Sequence, residues 1–358
     1  MRKKYIPATI AILLFCSCQH KTKNNNPPEQ SANQTACVKP VAITDPTLTD
    51  TDDPAIWINY SHKDSSLIIG TDKDENNGGL YVFHLNGKLD KKRTVTGLKR
   101  PNNVDIAYGL AVGKSQLDIA VTTERGRNCI RIFSLPDMRA VDQGGIEVFT
   151  GEQQREPMGI GLYKRPSDGL IFAIVSRKSG PEQGYLEEYL LTGDPSGIVS
   201  GKLVRKFGAY SGKKEIEAVA VDNELGYVYY CDEQAGIRKY YADPDKGNEE
   251  LAFFGNDDFL EDNEGISIYK STDTTGYLIV SDQSANRFNI YPREGEGPGH
   301  RNYKKICSIP VSTCNSDGNE VTSVALPGFP EGLFVAMSDN KTFQIYRWED
   351  LSTRIPKQ

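Results

Sequence analysis

The sequence has few of the residues, and none of the motifs, on which several common enzyme classes depend. Only four histidines occur in 358 residues, so a histidine cluster is not a candidate metal site. No G-x-S-x-G elbow, P-loop or dinucleotide-binding fingerprint is present. The seven cysteines have no C-x-x-C spacing and make a poor zinc framework. The chain therefore resembles neither a serine hydrolase, nor a nucleotide-binding enzyme, nor a zinc protein.

An excess of positive charge is also missing. The net charge of −6 and the pI near 5.5 argue against a general polyanion binder, so no nucleic-acid partner is expected. Two of the cysteines, Cys307 and Cys314, are close enough in sequence to bridge a short loop in an oxidising compartment. They are equally well read as small apolar residues, and the sequence leaves both alternatives open.

The apolar run at the N-terminus is too short to span a membrane. It covers residues 8–15, follows the basic Met-Arg-Lys-Lys start and ends at "CSC", as a bacterial lipoprotein signal does. We predict a signal peptide over 1–18 with lipidation at Cys18, because a small serine precedes it. Plain secretion with cleavage nearby is the alternative. Residues 19–40 are then a polar tether, and residues 41–358 form the folded domain. We expect an exported protein, either a lipoprotein on the outer membrane or cell surface, or a periplasmic or secreted protein.

One β-rich phrase recurs six times at a spacing of roughly fifty residues. Each copy is a hairpin with a Gly, Asn or Asp turn, and a further short apolar strand precedes it. The copies are "SLIIGTDKDENNGGLYVFHL", "LDIAVTTERGRNCIRIFSL", "LIFAIVSRKSGPEQGYLEEYLL", "YVYYCDEQAGIRKYYA", "YLIVSDQSANRFNIYPR" and "GLFVAMSDNKTFQIYRWED". This pattern predicts an all-β, six-bladed β-propeller with a central channel. Closed propellers have protected edges, so a monomer is expected.

Acidic residues introduce the first strand of every repeat. In a propeller these innermost strands surround one axis, so their carboxylates converge and must be protonated or hold cations. Oxygen ligands without histidine favour a hard ion such as Ca²⁺. Ordinary turn chemistry is the alternative for any single acid. The acids are Asp52 and Asp53, Asp105, Glu156, Glu215 and Glu217, Asp262 and Glu264, and Glu320.

The hairpin turns differ between the two halves of the chain. The first three repeats carry basic residues there, and the last three carry acids in "CDEQ", "SDQS" and "MSDNK". Basic side chains beside a metal cluster suit a phosphate ester, since they bind the phosphate oxygens while the ions polarise phosphorus. A solvated surface of mixed charge is the alternative. The basic residues are Lys73, Arg125 and Arg127, and Arg177 and Lys178.

Five segments resemble one known family, the β-propeller phytases, which are calcium-dependent bacterial 3-phytases. The segments are "TDDPAIWIN", "NNVDIAYG", "EIEAVAVDNELGYVYYCDE", "DNEGISIY" and "GLFVAMSDNKTFQIYRWED", in the family's order over about residues 45–350. The resemblance implies hydrolysis of phosphomonoesters of myo-inositol hexakisphosphate (phytate), often as its calcium complex, with several Ca²⁺ ions.

The resemblance also implies roles for individual residues. Those on the family's catalytic carboxylates are Glu217, Glu233, Asp262, Glu264 and Glu320. Those implied to bind metal are Asp52, Asp53, Asn103, Asp105 and Asp317 together with the same five carboxylates. Those on or beside the phosphate-binding positions are Lys73, Arg125, Arg177 and Lys178.

The chain departs from the family pattern at Ala107, Met158 and Thr342, where the family usually has polar residues. Two rival functions stay open, and Met158 and Thr342 favour the second of them. One is a six-bladed calcium-dependent lactonase-type hydrolase, which the basic residues disfavour. The other is a non-catalytic surface protein that binds phosphorylated ligands.

Overall fold

The computed structural model describes residues 36–357, and strands dominate them. Within that range the one α-helix is α1 (Trp348–Ser352), which follows the last strand. The first strand, β1 (Ala42–Ile43), does not pair with the strands that come next in the sequence. The remaining strands form antiparallel hairpins in sequence order, as the alternation of apolar and polar residues predicts.

The first sheet after β1, sheet A, has four strands in sequence order. The hairpin between its two middle strands is the first of the recurring phrases in the sequence. Its strands are β2 (Thr51–Trp57), β3 (Leu67–Asp72), β4 (Gly78–His84) and β5 (Val95–Leu98).

Sheet B has nine strands and consists of two antiparallel sets. A single parallel pair, Val112 with Gly193, joins the sets. The first set is β6 (Pro101–Val112), β7 (Ser115–Glu124), β8 (Cys129–Leu135), β9 (Arg139–Ala140) and β10 (Ile146–Glu147). The second set is β11 (Pro157–Lys164), β12 (Ile171–Arg177), β13 (Gln183–Gly193) and β14 (Val199–Ala209).

Sheets C and D repeat the four-stranded pattern of sheet A. The hairpin turn of sheet D uses Asn286 in the left-handed region at φ 50°, as Asn128 does between β7 and β8 at φ 54°. Sheet C is β15 (Val219–Asp222), β16 (Tyr227–Asp232), β17 (Gly236–Tyr241) and β18 (Ala252–Phe254). Sheet D is β19 (Ile266–Lys270), β20 (Gly276–Asp282), β21 (Arg287–Pro292) and β22 (Cys307–Pro310).

Sheet E is completed by the N-terminal segment. Its strands run in the order β1, β25 (Thr342–Arg347), β24 (Leu333–Ser338) and β23 (Asn319–Thr322). Val38, within the segment predicted to be a tether, is buried and bridges to Val311. The folded part therefore begins at least three residues before the predicted boundary at 41, because β1 and Val38 cover edges that the C-terminal strands leave open.

Apolar clusters lie between successive sheets and close a circle. Side chains from sheets A and B share one cluster, as do those from B and C, C and D, and D and E. A further cluster joins sheet E back to sheet A through Phe343 and Ile68. Trp348 is buried and stacks on Tyr269 with 3.7 Å between ring centroids, as expected for a core anchor. The arrangement is all-β and propeller-like.

A cavity of about 220 Å³ lies where the innermost strands meet. Residues from β2, β6, β11, β15, β19 and β23 line it. These are the strands whose leading acids the sequence predicts to converge. The fold brings the six strands around one axis.

The predicted signal peptide, the predicted lipidation site Cys18 and most of the predicted tether lie outside the described residues. No helix within 36–357 is long and apolar enough to cross a membrane. All five cysteines in that range are free, so Cys307 and Cys314 are unbridged.

Candidate active site

Three innermost strands carry the same β-bulge at the same place. Pairing with the first strand of the following hairpin shifts by one residue in β2, β6 and β11. A bulge redirects consecutive side chains that a regular strand would send to opposite faces. The bulges fall at Asp52–Asp53, Asn102–Asn103 and Met158–Gly159.

Hydroxyl groups on the second strands hold these bulges in place. The backbone N–H of Asp53 donates to Thr71 Oγ1 at 2.9 Å, and that of Gly159 donates to Ser176 Oγ at 2.8 Å. Ser176 in turn donates to the carbonyl of Ile216 at 2.6 Å, on the segment that leads into β15. The bulge in β11 is thus tied both to its own hairpin and to the next repeat.

One group of side chains, here called the mouth ring, begins with Lys73. Its ammonium lies 3.0 Å from Asp52 Oδ1 and 2.6 Å from Asp317 Oδ2. Asn102 Nδ2 donates to Asp52 Oδ2 at 3.1 Å and to Glu217 Oε1 at 2.9 Å. Four segments that are distant in sequence are therefore connected through one lysine and one amide.

The other half of the mouth ring is centred on Lys214. Its ammonium lies 3.0 Å from Glu233 Oε2, 2.7 Å from Asp262 Oδ2 and 2.8 Å from Glu264 Oε1. Gln283 Nε2 donates to both Glu264 Oε2, at 2.5 Å, and Asp317 Oδ1, at 2.6 Å. Carboxylate oxygens of Glu217 and Glu233 lie within 4.8 Å of each other and close the ring, and an oxygen of Glu215, which lies beside the ring, is within the same distance of both.

The mouth ring carries more negative than positive charge. It contains six carboxylates and two ammonium groups, so four negative charges remain when all are ionised. Burial, and for Glu233 the nearby Glu264 and Glu217, raises the pKa of Glu217, Glu233 and Glu264 above the usual range. Such a cluster stabilises bound cations.

A second group of polar residues, the channel group, lines the cavity. It consists of Asp53, Asn103, Asp105 and Glu320. Asp53 Oδ2 accepts from the backbone N–H of Val104 at 3.0 Å, and Asp105 Oδ2 accepts from that of Leu162 at 2.7 Å. Burial raises the pKa of Asp105 to about 7 and that of Glu320 to about 8. The channel group thus holds its protons to unusually high pH.

The predicted site residues are divided between these two groups. Asp52, Glu217, Glu233, Asp262, Glu264 and Asp317 belong to the mouth ring. Glu320 was expected with the catalytic carboxylates, but it lies in the channel group and interacts with Asp105. Glu320 lies within β23 and lines the cavity, whereas the other four predicted catalytic carboxylates do not.

The basic residues beside the mouth ring come from one position of the repeat. In the six repeats, the residue two places after the Ser, Thr or Cys near the end of the first hairpin strand is Lys73, Arg125, Lys178, Glu233, Gln283 and Asn340. Lys178 Nζ lies 3.5 Å from Glu215 Oε2, and Arg125 Nη2 lies 3.3 Å from Glu156 Oε1. Lys178 therefore stands next to the mouth ring through Glu215, and Arg125, at the same repeat position, pairs with the leading acid Glu156.

Arg177 was expected to bind phosphate, and the structure places it elsewhere. It is 1% exposed, pairs with Glu152 and stacks against Phe149 at 4.5 Å and Tyr185 at 5.5 Å. It occupies the repeat position of Asp232, a buried residue that binds Arg238 and the Ser211 loop. Successive residues of a strand alternate in direction, so Lys178 faces the mouth and Arg177 does not.

Two site residues were missed by sequence reasoning. Gln283 bridges Glu264 and Asp317, and its alignment with Lys73 and Glu233 in the repeat is the signal that could have identified it. Lys214 lies in the loop before β15, outside any repeated position, and no pattern indicates it. Of the departures, Ala107 and Met158 are buried apolar side chains, so neither contributes a polar group to the mouth ring.

Two glycines allow the lead-in segments to approach each other. A Cβ on Gly159 would lie 1.9 Å from the carbonyl oxygen of Glu217. A Cβ on Gly318 would lie 2.3 Å from Asp53 Oδ1 and 2.8 Å from the carbonyl oxygen of Asp52. Only glycine permits such contacts, which set the spacing of the carboxylates.

Comparison with known proteins agrees with this geometry. The family model described as Phytase matches residues 3–357. The chain belongs to the phytase family. A curated relative, the 3-phytase of Bacillus subtilis (strain 168), is 30% identical over 325 residues, which cover 85% of this chain and 81% of the relative. The resemblance to phytases inferred from the sequence is confirmed.

The phytase-family chain also has a distant structural likeness. A chain in the structure titled "Crystal Structure of Mitotic Checkpoint Complex" matches with a TM-score of 0.49 and 9% identity, over 92% of this chain and 99% of that one. A likeness at this level carries no conclusion about function.

Proposed function

We propose that this chain is a calcium-dependent 3-phytase, which releases inorganic phosphate from phytate taken as its calcium complex. The observation that carries the proposal is the mouth ring, an all-oxygen set of six acids beside the basic Arg125 and Lys178. The family membership and the relative named 3-phytase support the reaction class. Phytate carries several phosphates on one ring, which suits a site with both acidic and basic parts.

We further propose a six-bladed propeller. Sheet B divides at its single parallel pair into two blades, and sheets A, C, D and E supply one each. The six innermost strands around the cavity support this count. The protected edges of such a ring support a monomer.

The residues present fit calcium. Ca²⁺ prefers oxygen ligands, and every carboxylate and amide in both groups offers oxygen. Within 36–357 no donor hydrogen-bonds to Oε1 of the fully buried Glu233 or to the amide oxygens of Asn102 and Asn103. Unsatisfied buried oxygens are costly unless a cation compensates them.

We assign the proposed ions to two places. Glu217, Glu233, Asp262 and Glu264 would hold ions at the mouth, and Asp53, Asn103, Asp105 and Glu320 would hold metal in the channel. Bound calcium supplies positive charge that neutralises phosphate and makes a nearby water more acidic.

The chain's own side chains orient the substrate and move the proton. Arg125 and Lys178 bind phosphate oxygens, and a phosphate there displaces Glu156 and Glu215 as their partners. The side-chain amide of Asn102 orients Glu217 by donating a hydrogen bond to the Oε1 atom of Glu217. The other oxygen of Glu217, whose pKa burial raises, accepts a proton from the water that attacks phosphorus. The bond from phosphorus to the inositol oxygen breaks, and that oxygen takes up a proton from solvent and leaves as a hydroxyl group.

Phosphate release from phytate by residues 36–358, measured with calcium and with EGTA, tests the proposal. This segment includes Val38 and β1. Release that EGTA stops and calcium restores supports a calcium-dependent phytase. A folded protein that binds phytate in calcium without releasing phosphate supports the non-catalytic alternative, and hydrolysis of lactones alone supports the lactonase alternative.

We also propose that the chain is exported and carries a lipid on Cys18, its only contact with the membrane. The support is the "LLFCSC" sequence after a basic start. A Cys18→Ala variant should lose incorporation of a labelled fatty acid and leave the membrane fraction. Incorporation that persists in this variant would contradict the assignment.

A further inference from the structure

Lys214 occupies a central position among the acids of the mouth ring. Its ammonium contacts Glu233, Asp262 and Glu264 at 2.7 to 3.0 Å. The oxygens of these three carboxylates lie within 4.8 Å of one another, close enough to bind one ion together. An ammonium and a metal ion cannot both occupy that position, because two cations so close repel each other.

The backbone of Lys214 is fixed while its side chain can leave. Tyr210 donates its hydroxyl hydrogen to the carbonyl of Lys214, and the Tyr210 ring stacks on Tyr185 with 4.3 Å between centroids. The Lys214 side chain is 32% exposed, so an extended conformer reaches solvent without rearrangement of the core. The ammonium is thus tethered at short range but not enclosed.

The neighbouring lysine provides a contrast. Lys213 is exposed, and its ammonium lies 2.8 Å from the carbonyl oxygen of Gln234. Both lysines belong to the same loop and carry the same charge, but only Lys214 contacts the carboxylates.

We propose that Lys214 is a tethered cation that competes with a metal ion for the carboxylates of Glu233, Asp262 and Glu264. It thereby sets the calcium concentration at which this part of the mouth ring loads. This inference rests on the proposed calcium-dependent function. The ammonium neutralises the three acids when calcium is scarce, and loading requires that it move to solvent.

Calorimetric titration of the purified protein with calcium tests the competition. Lys214→Met keeps the aliphatic stem and removes the charge, so one class of sites should bind calcium about tenfold tighter or more. In EGTA the same variant should melt at a lower temperature than the unmodified protein, because three close carboxylates lose their neutralising partner. Lys213→Met, the matched control, should change neither quantity.

The activity readout should follow the binding readout. The calcium concentration that gives half-maximal phosphate release should fall in Lys214→Met by the same factor as the binding constant. If Lys214→Met does not fold in calcium, Lys214→Gln removes the charge with a polar side chain of similar length.

The failures are distinguishable. Equal or weaker calcium binding by a folded Lys214→Met overturns the competition while leaving calcium dependence intact. If neither protein binds calcium, both the competition and the proposed calcium dependence are wrong. Weaker phosphate binding with unchanged calcium affinity would make Lys214 a substrate-binding residue instead.

Discussion

Asp52 and Asp53 are consecutive in the chain, yet their carboxylates belong to different acidic groups. Asp52 contacts Lys73 and Asn102 in the mouth ring, whereas Asp53 accepts a hydrogen bond from Val104 in the channel group. The bulge in β2 directs one carboxylate to each group. One short acidic sequence thus contributes to two sites.

Substitution of each of the two aspartates should therefore have a different effect. Asp52→Asn should lower kcat for phosphate release by about 10²-fold or more, because it alters the charge of the mouth ring, at which the proposed ions bind. Asp53→Asn should mainly lower the melting temperature in calcium and leave kcat within a few-fold. Steady-state kinetics and calcium-dependent thermal unfolding measure both effects. Equal losses of kcat in the two folded variants would contradict the division.

Glu217→Gln should abolish turnover and leave the fold nearly intact. The amide has the shape of the carboxylate and can still contact Asn102, but it cannot accept the proton of water. A loss of at least about 10²-fold in kcat is expected. Glu249→Gln, which changes an exposed carboxylate paired with Arg301, should retain full activity. Full activity in Glu217→Gln would remove this residue from the reaction.

Substitution of Lys178 should weaken phytate binding, whereas substitution of Arg177 should lower the stability of the fold. Lys178→Met should raise KM for phytate about tenfold, as expected for a lost ionic contact with phosphate. Arg177→Met should lower the melting temperature by several degrees, because it leaves Glu152 without this partner beside two aromatic rings. Kinetics and thermal unfolding of both variants decide the matter. A raised KM with unchanged stability in Arg177→Met would restore the original assignment.

Stability without calcium should fall as pH rises. Asp105 and Glu320 have pKa values of about 7 and about 8 in the folded protein, above their usual values near 4. The folded state therefore binds protons more tightly, so this stability is complete below about pH 4 and is lost as pH rises through 7 to 8. The melting temperature in EGTA should decrease from pH 5 to 9.

Two comparisons test the cause of that pH dependence. Calcium favours the ionised carboxylates and should flatten the decrease, and Asp105→Asn should flatten it in EGTA. A melting temperature in EGTA that rises over this range would show that other groups control it.

The repeats, the converging acids and the basic turns could all be predicted from the sequence, because alternation and turn residues recur in each hairpin. The direction of a side chain within a turn could not. Arg177 and Lys178 differ by one position, and only the observed register shows which one faces the mouth. The same difficulty applies to Glu320, because the sequence does not show whether a leading acid lies in the mouth ring or in the channel group. Lys214 lies in an irregular loop, whose path depends on tertiary contacts such as that of Tyr210.

The pairing of β1 with β25 has a consequence for how the molecule is made. Phe343 donates its backbone N–H to Thr44, 299 residues earlier in the chain. The first segment to be synthesised must therefore wait, unpaired, until almost the last strand is available. Contacts of such long range slow folding and leave strand edges open in the meantime. A shortened N-terminus that lacks residues 38–43 should accordingly yield more aggregate during refolding, even where its active site is complete.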